Sequence, residues 1–240
     1  HTEIARLLLE AGAAVDQADE DGTTPLSAAS LAGEIDCVRL MIAAGAAVNQ
    51  ADSEGRATPL LVASLKGHVE IARLLLEAGA AVAHADAQGR TPLLAACHFG
   101  HLEVARLLRD AGASVDQAAT DGTTPLSAAS LAGEVDCVRL MIAAGAAVNQ
   151  ADTDGFPPLI VACQEGHLEC AQLLLKASAA VNQAKDTGAT PLSIACQKGH
   201  LEIARLLLEA GAAVAHADAE GRTPLYVACE KGHLECARLL

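Results

Sequence analysis

The chain has 240 residues, with 16 Lys and Arg against 30 Asp and Glu, and its formal net charge of −14 argues against a phosphate backbone, and so nucleic acid, as partner. With no Trp, one Tyr and two Phe, its core must be built from Ala, Leu, Val, Ile and Cys, which suits close-packed short helices better than a large globular interior. The longest apolar stretches, such as Leu40 to Val48, fall short of the roughly 20 residues a membrane-spanning helix needs. No basic-then-apolar leader opens the chain, and His1 together with an apolar helical pattern still running at Leu240 reads as a fragment of a longer protein.

A Thr-Pro-Leu element recurs with its proline at Pro25, Pro59, Pro92, Pro125, Pro158, Pro191 and Pro224, a spacing of 34 and then five of 33. A fixed period between about 20 and 50 residues builds a stacked array. No linker or change of composition interrupts it, so residues 1–240 read as one elongated domain: a partial repeat at 1–16, repeats beginning near 17, 50, 84, 117, 150, 183 and 216, and a truncated last repeat.

In chain order, the first full repeat ends its first helix at Leu31 and Ala32, and one extra residue, Arg56 or Ala57, lengthens the turn that opens the second. The third spells out the unit. Gly89 permits a positive φ in a tight turn, Thr91 can cap a helix, and Pro92 takes the first helical position, where its missing N–H costs nothing. A helix is predicted from Pro92 to about His98. After Gly100 a second helix carries Leu102, Val104, Ala105, Leu107 and Leu108 at helical spacing and stops at Gly112. Residues 117–152 repeat 17–52 at all but three positions, and 203–219 repeat 71–87 without change, which points to block duplication. The fifth repeat departs from the pattern twice: Pro157 stands in the Thr position, and Ser178 replaces the glycine found at Gly12, Gly45, Gly79, Gly112, Gly145 and Gly211, which should force Ser178 into the left-handed region. On the second helices an acid three residues before an arginine (Glu3/Arg6, Asp36/Arg39, Glu70/Arg73, Glu103/Arg106, Asp136/Arg139, Glu202/Arg205, Glu235/Arg238) predicts surface ion pairs.

Asp-x-x-Gly-x-Thr-Pro-Leu, then Gly-His-x-Glu, then Leu-Leu-x-x-Gly-Ala, in seven copies over essentially the whole chain, resembles the ankyrin repeat. The resemblance implies an all-α ankyrin-repeat solenoid: stacked helix-turn-helix units, β-turn fingers projecting to one side, a concave surface of fingers and first helices, and a role in holding other proteins. The family's His after Thr-Pro-Leu is absent here, replaced by Ser27, Leu61, Leu94, Ser127, Ile160, Ser193 and Tyr226, so a softer junction between finger and helix is expected.

Cys163-x3-His167-x2-Cys170 and Cys229-x3-His233-x2-Cys236 imitate metal spacing. Yet the eight cysteines fill two repeat columns, Cys97, Cys163, Cys196 and Cys229 alternating with Ser, and Cys37, Cys137, Cys170 and Cys236 alternating with Ile and Val. Packing positions are the simpler reading, with no metal and no cofactor. Equivalent columns of neighbouring repeats stand too far apart for disulfides, so reduced thiols point to cytoplasm or nucleus. His68, His101, His167, His200 and His233, and the finger aspartates Asp19, Asp52, Asp86, Asp152 and Asp218, read as capping and turn residues and not as acid–base catalysts.

Variety concentrates at two columns, the finger tip and the end of the first helix. There the candidate protein-binding residues are Leu31, Arg56, Leu65, Arg90, His98, Phe99, Leu131, Phe156, Gln164, Gln197, Arg222 and Glu230. Both phenylalanines fall among them, and aromatic and Arg side chains dominate binding hot spots, although Phe99 could instead tuck against a neighbouring repeat. Acidic fingertips beside Arg90 and Arg222 suggest a mixed-charge rim that steers a protein or peptide with basic segments. The expected function is a non-catalytic, monomeric scaffold or adaptor; the alternative is the substrate-recruiting arm of a kinase or ubiquitin ligase whose catalytic domain lies outside these residues.

Overall fold

A computed structural model describes residues 2–55 and 57–240, and among them contains 15 α-helices and no strand. The chain forms two compact units, His1–Thr120 and Asp121–Leu240. In the first unit the inner helices α2 (Pro25–Ala32), α4 (Pro59–Lys66) and α6 (Pro92–His98) stack in order, as do the outer helices α1 (Thr2–Glu10), α3 (Ile35–Ala43), α5 (Val69–Glu77) and α7 (Leu102–Asp110). In the second, α8 (Pro125–Ala132), α10 (Pro158–Glu165), α12 (Pro191–Lys198) and α14 (Pro224–Lys231) form the inner row, and α9 (Val135–Ala143), α11 (Leu168–Lys176), α13 (Leu201–Glu209) and α15 (Leu234–Leu239) the outer row.

Each inner helix begins at the repeat's proline, and in all but α10 the preceding threonine stays extended and its Oγ1 accepts the N–H three residues on. Thr24 receives Ser27 at 3.2 Å and Thr124 receives Ser127 at 3.1 Å, and Thr58, Thr91, Thr190 and Thr223 do the same. That hydroxyl holds the finger-to-helix junction. Pro157 has no such group, and α10 starts without a side-chain cap. Ser178 has φ 67°, the one positive φ outside glycine among the described residues, as its column requires.

The core follows the same register. Leu26, Leu60 and Leu93 in the first unit, and Leu126, Leu159 and Leu192 in the second, are buried to 1% exposure or less, as are outer-row residues such as Val104, Leu108 and Leu174. On the outer surface Arg73, Arg106, Arg205 and Arg238 pair with the acid three residues before them. Arg39 and Arg139 depart from the prediction. They reach Glu70 and Glu169 of the next repeat at 2.5 and 3.9 Å, the aspartates before them being one methylene shorter.

Candidate functional site

The surface made by fingers and inner-helix ends is built in three layers. The innermost is the finger itself. Asp86 N–H donates to Arg90 O, Gly89 N–H donates to Asp86 O, and Asp86 Oδ1 accepts the N–H groups of Gln88 and Arg90 at 3.0 and 2.9 Å. The same carboxylate knot recurs at Asp19, Asp152 and Asp218. An Asx-type turn of this kind satisfies backbone donors that a tight turn leaves without partners. The second layer joins fingers within each unit: Ser53 N–H donates to Asp21 O and Thr120 N–H to Gln88 O, then Thr153 N–H to Asp121 O and Ala219 N–H to Thr187 O.

The third layer supports the inner-helix ends from behind. His68 Nε2–H donates to Leu31 O at 3.3 Å, and His101, His167, His200 and His233 donate to Leu65, Leu131, Gln164 and Gln197 O at 3.1 to 3.2 Å. These histidines were expected as capping and turn residues. They make no side-chain bond to their own helix, and each instead crosses to the preceding repeat. The preceding repeat's glycine admits the ring, since a Cβ at Gly67 would lie 2.5 Å from His101 and one at Gly166 would lie 2.8 Å from His200. Five predicted contact positions therefore sit on carbonyls held by the repeat that follows.

The predicted contact residues divide by what their side chains touch. Leu31, Phe99 and Leu131 are 50, 51 and 42% exposed, while Leu65 is half-buried. Phe99 packs edge-on to His98 with ring centroids 4.8 Å apart and stacks at 6.3 Å on His101, both of its own repeat. Phe156 is half-buried beneath the Lys185 ammonium, 4.3 Å from the ring centroid. Arg90 and Arg222 fold back on their own fingers: Nε of each meets Asp86 or Asp218 at 2.7 or 2.9 Å, and Arg222 also pairs with Glu220 at 3.1 Å. Burial pushes the Asp218 carboxyl up, but the backbone and guanidinium hydrogen bonds of Arg222 and the Glu220 N–H outweigh it and hold its pKa below the ordinary carboxylate value. Gln164 donates to Glu165, and Glu230 pairs with Lys231. Arg56 lies outside the described residues.

The cysteines face the core, apart from exposed Cys229, and all are free thiols. Burial pushes Cys170 up to about 11, with Glu169 and Glu134 adding to it, and raises Cys163 as well. No three His, Cys, Asp or Glu side chains converge as a metal site among the described residues, and the His167 ring is turned to Leu131 O. Cys196 of α12 and Cys236 of α15 come near enough to interact, an inner position of one repeat beside an outer position of the next.

No helix among the described residues is long and apolar enough to cross a membrane. A family model described as ankyrin repeats, in three copies, matches residues 1–52, 44–119, 111–186 and 175–240. No curated protein matches the chain.

Proposed function

The chain belongs to the ankyrin-repeat family, whose repeats are protein-interaction modules, and from that premise we propose that it is a non-catalytic scaffold or adaptor that binds a protein or peptide on its finger and inner-helix surface. The observation that carries this reading is the exposure of Leu31, Leu131 and Phe99 at the ends of inner helices, the first two on carbonyls held by His68 and His167. Apolar side chains held in place before contact lose little entropy on binding, which is how a preorganised surface gains affinity. The net charge of −14 and the exposed fingertip acids Glu20, Asp21, Asp121 and Asp154 favour a partner carrying basic segments.

Affinity capture from lysate, comparing the chain with a Leu31→Ala, Phe99→Ala, Leu131→Ala variant shown by circular dichroism to remain folded, tests the proposal. Partners held by the first and lost by the second support it, and their retention should weaken as salt rises. Equal capture by both refutes the role of these three side chains.

A further inference from the structure

Two faces of the molecule carry apolar side chains at positions that are covered in the other repeats. The Ala28 column is buried at Val62, Ala95, Ala128, Val161, Ile194 and Val227, while Ala28 itself, on α2, is exposed. The Met41 column behaves alike: Leu75, Leu108, Met141, Leu174 and Leu207 are wholly buried, and Met41, on α3, is half-buried. Columns open only in α2 and α3 face the preceding repeat. On α14 the pattern is reversed. Leu26, Leu60, Leu93, Leu126, Leu159 and Leu192 are 1% exposed or less against 46% for Leu225, and Tyr226 is 55% exposed in a column otherwise buried. Columns open only in α14 face the following repeat.

Within each unit α2 stacks on α4 and α4 on α6, and α10 on α12 and α12 on α14, so each joint sets a forward face of one repeat against a backward face of the next. One face of each kind is left open, the forward one on α14 and the backward one on α2 and α3. The backward face is a groove of about 420 Å³ lined by Ile4, Leu8, Pro25, Ala28, Ala32 and Met41, with Glu34 the charged residue in its lining. Exposed apolar faces of this kind mark places where other protein surface docks. The surface that fits this one is already written in the chain, because the face on α14 belongs to the same columns that cover the equivalents of Ala28 in the joints within each unit.

We propose that the groove on α2 and α3 receives the α14 and α15 face of a second copy of this chain, so that molecules associate head to tail through the joint their own repeats use. The docked α15 takes the outer-row place of α1, which has no buried residue and packs on α3, and α1 gives it up. The two faces differ, so the contact is heterologous and each copy keeps one face open for another. Both copies carry a net charge of −14, so association strengthens as salt screens their repulsion, opposite in sign to the capture of a basic partner.

The test is sedimentation equilibrium of the chain, whose average mass should rise with concentration and rise further at higher salt. Ala28→Glu and Tyr226→Glu each put a charge into one face, at a side chain exposed in the free molecule, where it is tolerated until a joint would bury it. Each variant should keep its circular dichroism and stay monomeric at every concentration. Mixed in equal amounts, the two should form pairs and nothing larger, because the intact α14 face of Ala28→Glu fits the intact α2 face of Tyr226→Glu. Ala32→Glu, also exposed in the groove, replaces Ala28→Glu if that variant does not fold. A wild-type chain that stays monomeric at high concentration and salt, variants that associate as the wild type does, or a mixture that remains monomeric overturns the proposal. Partner capture is read with the Leu31, Phe99 and Leu131 variant, so the two readings fail separately.

Discussion

The histidine that braces each inner-helix end makes a quantitative claim about two glycines that look alike in sequence. Gly67 and Gly79 both lie in the first unit with positive φ, 72° and 86°, so alanine at either costs about 1 kcal/mol for the left-handed backbone. At Gly79 a Cβ meets nothing within 4 Å, and the cost should stop there. At Gly67 it would stand 2.5 Å from His101 Nδ1. The ring must then move, and the 3.1 Å bond from His101 Nε2–H to Leu65 O goes with it. Loss of that bond from a part-buried site adds about 1 to 2 kcal/mol, so Gly67→Ala should cost about 2 to 3 kcal/mol in all. Guanidinium unfolding followed by circular dichroism measures both variants, each again in a His101→Ala background, where the excess at Gly67 should vanish because nothing is left to displace. Equal costs for the two glycines, or an excess that persists without the imidazole, would refute the bracing role.

Ser178→Gly should stabilise the protein by about 1 kcal/mol, since Ser178 holds φ 67° where its column otherwise carries glycine; an unchanged or lower denaturation midpoint contradicts this. Asp218 has a depressed pKa in the folded state, so its contribution to stability is present above the unfolded carboxylate value and is lost as pH falls through the lower folded value. Arg222→Ala should move the Asp218 titration, followed by 13C NMR of its carboxyl, to higher pH, and should bring the acid loss of stability forward in the same direction. Of the eight cysteines, Cys229 should react fast with an aromatic disulfide at pH 8. The buried thiols should react only on unfolding, Cys170 being held back roughly a hundredfold by a pKa near 11 even before access is considered. Pro157→Thr should change stability by less than about 0.5 kcal/mol, because the hydroxyl cap gained by α10 and the chain stiffness lost with proline are of similar size.

The helices were readable because each start is written locally. A capping threonine and a proline at the first helical position sit next to one another, and their effect needs no distant partner, so all seven inner helices begin at the expected proline. Ser178 was readable for a related reason: the conformation of a column is set by its own backbone, and a departing residue inherits it. The His101 contact joins residues 36 apart, and no window on the sequence reveals that the imidazole leans backward and not onto its own helix. The cysteine columns misled in the same way. Reading like against like assumed that equivalent positions face each other, whereas Cys196, an inner position of one repeat, interacts with Cys236, an outer position of the next.

The arginines show where a column of variety is a weak guide to a surface. Arg90 and Arg222 varied against Thr, Ala and Phe, and so looked free for a partner, but each follows an aspartate by four residues in a turn that brings the two together. A charge four residues away across a tight finger acts at contact distance, and the local ion pair occupies the guanidinium before any partner arrives. Lys185 is the converse. Its finger closes through Lys185 N–H to Ala189 O and Gly188 N–H to Lys185 O with no carboxylate, so the aspartate of the other fingers is a local support that the turn can form without.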